Sequence, residues 1–336
     1  MRYSLRNRFV RGLTAAVSMC APGMAGCASD QVILAHAMNT DHVFHAISER
    51  FLEELGEDGG VPIAYHPGGT LGDWTSLFEQ AMLGVVPMTL TWASSEFDER
   101  LDLAYLGYLV ATWDDAQRLY GPGAGMLAVY NDILAELDLH AIGIIPTDFS
   151  SVVVRKGIGR VPLNFPEDPD GMKVRVPSLS IAVNRFNNFG FAAVPIPLAE
   201  VYTAMQLGTV DARSWSTAVE TWTMRDIVEA NILTRDHFEI AFWLVNRSWW
   251  EGLSPEVRAT LQTAADRTIE WSWSEARRRS DEFLQRGRDA GIRVVELTDD
   301  QLGAARKIVF EKEWPAMESV VGSDVMDRIR SIAGTR

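Results

Sequence analysis

"AAVPIPLAEVYTAMQLGTVDAR", residues 192–213, contains the unit from which the whole fold is read. An apolar run, Ala192–Pro197, is too short and too rich in Pro for a helix and reads as a strand. "LAEVYTAMQL" (198–207) follows with helical composition, and Gly208 stops it, since only glycine enters the left-handed conformation of a helix C-terminus at little cost. Strand then helix, with a short connection, is the repeating unit of α/β proteins.

The same alternation extends outward in both directions. "QVILAHAM" (31–38) is a first strand, and "TDHVFHAISERFLEEL" after it places Val43, Ile47, Phe51 and Leu55 on one helical face, with Thr40 or Asp41 as N-cap. "VPIAYHP", "VPMTLTW", "LHAIGII" (139–145), "SSVVVR" (150–155), "MKVRV", "AFWLVN" (241–246) and "IRVVEL" (292–297) are further strands. "DWTSLFEQAML" is a helix packing Trp74, Leu77, Phe78 and Ala81 and closed by Gly84. Ser254-Pro255-Glu256 opens a long helix to about Ala290, with Ser as N-cap and Pro in the first turn. No repeat or Pro/Gly-rich linker divides the chain, so two lobes must be joined by strands and helices that cross between them.

One strand carries a misfit. In "PDGMKVRVPS" (169–178), Met172, Val174 and Val176 alternate to one face and Lys173 and Arg175 to the other. On a solvated face two cations are ordinary. Inside a buried sheet a guanidinium needs an anion, which is either internal (Asp211 or Glu200) or a ligand.

With 336 residues, 47% hydrophobic and 23% charged, the chain can bury a sizeable core in each of two lobes. A net charge of −14 argues against nucleic acid and anionic membrane surfaces, which select basic faces. "MRYSLRNRFVRG", "LTAAVSMCA" and "PGMAGCASD" form a basic leader, a short apolar run and a small-residue cleavage point, so residues 1–28 read as a signal peptide. Loss of its four arginines would take the charge to about −18. Both cysteines, Cys20 and Cys27, lie in this segment, leaving a mature chain without disulfides or thiol chemistry. Met24-Ala25-Gly26-Cys27 also resembles a lipobox, which would anchor the chain through Cys27.

Motifs for catalysis are thin. His42 and His45 lie three apart but lack a third ligand, and read as solvated or capping side chains. "PGGTLG" (67–72) lacks the Lys-Ser/Thr of a phosphate-binding loop, and neither a dinucleotide fingerprint nor G-x-S-x-G is present. Eleven tryptophans are more informative. Trp249, Trp250, Trp271 and Trp273 read as core or groove fillers on helices, whereas Trp74, Trp92 and Trp215 follow strands or open loops, where α/β proteins form pockets.

Four stretches carry a resemblance. "YHPGGTLGDWTSLFEQAMLGVVPMTL", "DPDGMKVRVPS", "VPIPLAEVYTAMQLGTVDA" (194–212) and "VNRSWWEGLSPEVRATLQTAA" resemble, in order, segments of the DctP-type solute receptors of TRAP transporters, with matches from about residue 33 to 331. The resemblance implies a two-lobed periplasmic binding protein fold, each lobe a sheet flanked by helices, with lobe-crossing strands and a long C-terminal helix. It divides the chain into lobe I at 29–148, with about 238–265 returning to it, and lobe II at 149–237, with about 266–336 packing across both. The function implied is capture of a small organic acid in the cleft and delivery to membrane permease subunits, without cofactor or catalysis. A receptor presenting its ligand to a sensor, and an enzyme on the same fold, are the alternatives.

By this resemblance Arg175 grips the ligand carboxylate. Trp215 stands where the family commonly has a ligand-bonding Asn. In a 2-oxo-acid branch an aromatic stands there after a metal-holding Glu; here Ser214 replaces that Glu, so no metal is expected. A monocarboxylate, or an aromatic or 2-oxo acid, is favoured. Arg213 reads either as an additional cation of the pocket or as a solvated side chain beside it. The second family arginine falls on Arg155 by ungapped counting, or on Ser150 or Ser151 by strand pattern. Asn39, His42 and Trp74 are expected walls from lobe I, and Asn246 a further contact. Tyr105-Leu106-Gly107-Tyr108 replaces the family's Pro-Phe-Leu stretch. The family resemblance also leaves open a homodimer through the long helix.

Overall fold

The computed structural model describes residues 31–56 and 62–334. The expected signal peptide and lipobox lie outside these residues.

Eleven strands form two mixed sheets. The first contains β1 (Val32–Ala35), β2 (Ile63–His66), β3 (Met88–Thr91), β4 (Leu139–Phe149) and β10 (Phe238–Asn246), in the order β2-β1-β3-β10-β4. The second contains β5 (Ser151–Arg155), β6 (Lys173–Val176), β7 (Ala192–Pro195), β8 (Ala212–Ser216), β9 (Val228–Leu233) and β11 (Arg293–Glu296), in the order β11-β9-β5-β8-β6-β7. In the first sheet β1 pairs parallel with β2 and β3, and β10 pairs antiparallel with β3 and β4. The chain passes to the second sheet between β4 and β5 at Ser150, and returns between β9 and β10 through Thr234–His237. The two crossings are stitched together: Ser150 N donates to His237 O at 3.0 Å and Arg235 N to Ser150 O at 2.9 Å.

The opening stretch builds β7 and a helix, Val201–Gln206, ended at Gly208 with φ +73°. The long helix spans Pro255–Asp289 with Ser254 as its N-cap, and packs on the first helix (Val43–Leu55), β4, the helix Ala218–Thr223 and β11. It thereby touches elements tied to both sheets. Two expectations change. The first helix is capped by His42, whose Nδ1 accepts from Phe44 N at 3.3 Å, and not by Thr40 or Asp41. Strands β8 and β9 lie outside the expected set: β9 alternates Val228, Ala230 and Ile232 with Glu229 and Asn231, whereas "ARSWS" has no apolar alternation to announce it and is fully buried yet polar, with β5 and β6 flanking it on both sides.

Candidate functional site

Arg175 on β6 and Arg213 on β8 are register partners in parallel strands, so both guanidinium groups rise from the same face of the second sheet. Both are buried. Arg213 is compensated within the protein: its Nη2 donates to Glu220 Oε1 at 2.5 Å, on the helix that follows β8. Burial alone would raise the Glu220 carboxyl, but the Arg213 guanidinium and the Thr217 amide hold it below its ordinary value. Arg175 is different. Only 4% exposed, it spends Nε on Ile196 O at 2.8 Å and makes no ion pair among the described residues. Burial, and secondarily the adjacent Arg213, pull its pKa down to about 9, against a partial offset from Glu220. The internal anions considered for it are committed or remote: Asp211 accepts from Arg155 Nη2 at 3.3 Å, and Glu200 is exposed.

Arg175 opens into a cavity of about 60 Å³ that communicates with solvent at its mouth. Trp74, Trp92 and Glu239 line it from the first sheet and its helices, and Arg213, Trp215, Pro177 and Leu198 from the second. Trp215 sits within β8 at φ +48°, a left-handed conformation uncommon for a bulky side chain. Three contacts hold it there. Its Nε1 donates to Asp236 Oδ2 at 2.8 Å, its ring stacks on Tyr105 at 5.3 Å and 17°, and the Arg185 guanidinium lies 5.2 Å from its ring centre. Trp74 and Trp92 meet edge to face at 6.4 Å and 89°, making a corner of the cavity. Glu239 is pinned there by Trp92 Nε1, which donates to its Oε1 at 3.2 Å, and by Thr147 Oγ1, which donates to its backbone O at 2.7 Å and lies 3.0 Å from Oε1. Burial and the nearby Glu220 push its carboxyl up to about 8.

Asp236, in the β9–β10 crossing, gathers these contacts. Besides Trp215 it accepts from Arg185 Nη1 at 3.0 Å, Ser150 Oγ at 2.9 Å and Thr234 Oγ1 at 2.6 Å. Although burial opposes ionisation, His237 and Arg185 hold its carboxyl well below the usual carboxylate range. Arg185 is also bound by Glu313, through Nε at 2.7 Å and Nη2 at 2.6 Å. Gly107, in the stretch that departs from the family, is glycine for space: a Cβ there would lie 2.9 Å from Val309 and 3.1 Å from Arg185. Its amide donates to Glu313 at 2.7 Å.

The structure therefore brings Arg175, Arg213, Trp215, Trp74 and Trp92 to one cavity, and adds Tyr105, Glu220 and Glu239. It does not bring Arg155 there; that side chain sits at the outer end of β5, bound to Asp211 and Lys156 O. Ser150 is instead in the crossing, donating to Asp236, and Ser151 opens β5, donating to Ser216 O. Asn39 is exposed and lines an adjoining cavity with His42 and Arg213. Asn246 is a structural clamp. It caps the helix Arg247–Gly252, accepting from Trp249 N at 2.9 Å, and donates to Ala81 O, Met82 O and Asp138. Glu239 escaped sequence reading because the strand was started at Ala241; a lone acid in the apolar run "FEIAFWLVN" is the signal that would have found it. Among the described residues no cluster of three or more His, Cys, Asp or Glu could hold a metal ion.

Two mixed sheets joined by paired crossings, with a charged and aromatic cavity between them, define a two-lobed solute-binding protein. The model of the bacterial extracellular solute-binding proteins, family 7, matches residues 34–317, and the chain belongs to this family of TRAP-transporter receptors. It is 22% identical over 332 residues to the ectoine-binding periplasmic protein TeaA of Halomonas elongata, covering 95% of this chain and 94% of that one. The solved ectoine-binding protein of the TeaABC TRAP transporter of that organism superposes with a TM-score of 0.83 at 18% identity, covering 91% of this chain and 99% of the other. A TRAP periplasmic solute-binding protein from Desulfovibrio salexigens, with bound orotic acid, gives 0.81 at 18% identity, covering 90% and 98%.

Proposed function

We propose that this protein is a periplasmic receptor that captures a small carboxylate between its two sheets and passes it to the TRAP permease. The observation that carries the reading is Arg175: a guanidinium, buried in the wall of a cavity, that pairs with no carboxylate among the described residues. Burying such a charge costs several kcal/mol unless an anion meets it, and a carboxylate matches the planar fork of donors. The aromatic walls favour a compact acid with an apolar or planar body over a dicarboxylate, because the second cation, Arg213, is already neutralised by Glu220. A relative by fold holds orotic acid, a planar carboxylate, in keeping with this. No reaction is assigned; the charged groups of the cavity bind and orient.

Isothermal titration calorimetry against a panel of 2-oxo acids, aromatic acids, dicarboxylates, sugar acids and amino-acid-like acids tests the proposal. At least one monocarboxylate should bind, and Arg175→Lys should weaken it at least tenfold, about 1.4 kcal/mol, with the fold retained. Unchanged affinity in that variant would remove Arg175 from the site. Chemical turnover of the bound acid would overturn the receptor reading.

A further inference from the structure

The cavity contains a second ionisable group without an ion-pair partner. Glu239 is 8% exposed; its Oε1 accepts from the neutral donor Trp92 Nε1 and lies 3.0 Å from Thr147 Oγ1, whose single proton is directed at the Glu239 backbone O at 2.7 Å, while Oε2 has no hydrogen-bond partner among the described residues. Among the described residues no cationic side chain comes within ion-pair distance of it; the cavity's own Arg213 is held by Glu220. Around Glu239 the walls are indole rings. Trp92, which binds it, and Trp74, at right angles to Trp92, form a corner, and tryptophan faces are the strongest aromatic partners of a cation. The guanidinium comes from the second sheet and the indole–carboxylate face from the first and its helices, and both line one cavity.

From these observations we infer that the ligand is a zwitterion, whose carboxylate meets Arg175 and whose cationic end, an ammonium, amidinium or quaternary nitrogen, sits in the Trp74–Trp92 corner against Glu239. The inference rests on the carboxylate reading above and narrows it. A cation at that place also answers the cost of the lone carboxyl, which burial and Glu220 otherwise hold largely protonated near neutral pH. The other charged groups that face it, Glu220 from the helix after β8 and Arg213 from β8, neutralise each other and leave the position to the ligand.

Isosteric pairs that differ by one charge test this on the intact protein. Trimethylglycine against 3,3-dimethylbutanoate, and N-methylnicotinate against 3-methylbenzoate, each exchange a cationic nitrogen for carbon in the same shape. Titration calorimetry should find the zwitterion at least tenfold tighter in at least one pair, and the tightest acids of the wider panel should carry a cationic group. Glu239→Gln should shrink that preference to less than threefold, with an unchanged circular dichroism spectrum showing that the variant is folded. If carboxylates bind but the uncharged member of each pair binds as well as its partner, and the tightest acids of the panel carry no cation, this inference falls while the carboxylate reading stands. A preference that survives Glu239→Gln likewise overturns the assignment to Glu239. If no carboxylate binds at all, the carboxylate reading itself fails, and this one with it.

Discussion

Arg175 and Arg213 stand side by side on neighbouring strands, an arrangement that like charges disfavour unless each finds an anion. Glu220 answers one of them. On the opposite wall Glu239 provides a measurable consequence at the scale of a single residue. An acid whose folded pKa lies above its unfolded value binds more protons in the folded state, so stability declines as pH rises from about 4.5 toward about 8. Burial lowers His36, His42, His140 and His237, which take up protons near pH 6.5 only on unfolding and so oppose this decline. The difference between wild type and Glu239→Gln removes that shared contribution. In the ligand-free protein, the melting temperature of the wild type relative to that of Glu239→Gln should fall between pH 6.5 and 8; parallel curves for the two proteins would contradict the buried, unpaired carboxyl.

Among the elements, the two crossings are held by a buried cluster, and this is where side-chain loss should be most damaging. Asp236 joins the β9–β10 crossing to Ser150 in the other crossing, to Trp215 in the cavity, and to Arg185, which Glu313 ties to the helix Asp299–Val321. Asp236→Asn leaves Arg185 partly uncompensated where no water reaches, and should cost about 3–5 kcal/mol in urea unfolding; a loss below about 1 kcal/mol would show that Asp236 does not carry the cluster. Since the carboxyl is held below its ordinary range, its contribution is present above the unfolded carboxylate value near pH 4 and is lost as pH falls further. Asn246→Ala removes a helix cap and bonds to Ala81, Met82 and Asp138 far from the cavity. About 1–2 kcal/mol of stability should go with it, measured by the same unfolding, with ligand affinity unmoved.

For the molecule as a whole, the cavity takes its walls from both sheets, so a ligand that touches both favours the arrangement in which they are together. Binding to the folded state alone then stabilises by mass action, about 2.7 kcal/mol at a hundred times the dissociation constant. Melting temperature should rise with ligand concentration in the wild type. For Arg175→Lys the same rise should require at least tenfold more ligand. A melting temperature insensitive to an acid shown to bind by calorimetry would mean that the acid binds outside this cavity.

The alternation of strand and helix, the long helix from Ser254, and the singular position of Arg175 were all determined by sequence. They rest on periodicity, caps and composition, which act over a few residues and are written in the order of the chain. Tertiary structure decided which charges meet. Arg155 faces Asp211 because β5 and β8 are neighbours, Arg175 forms no ion pair among the described residues because β6 pairs with β7 and β8, and Asn246 reaches Ala81 because β10 runs beside β3. Strand order and register are long-range outcomes of packing, which no local pattern encodes. The polar strand β8, with Trp215 in a left-handed conformation, is the clearest case: its burial and its backbone depend on Tyr105 and Asp236, more than a hundred residues before it and some twenty after.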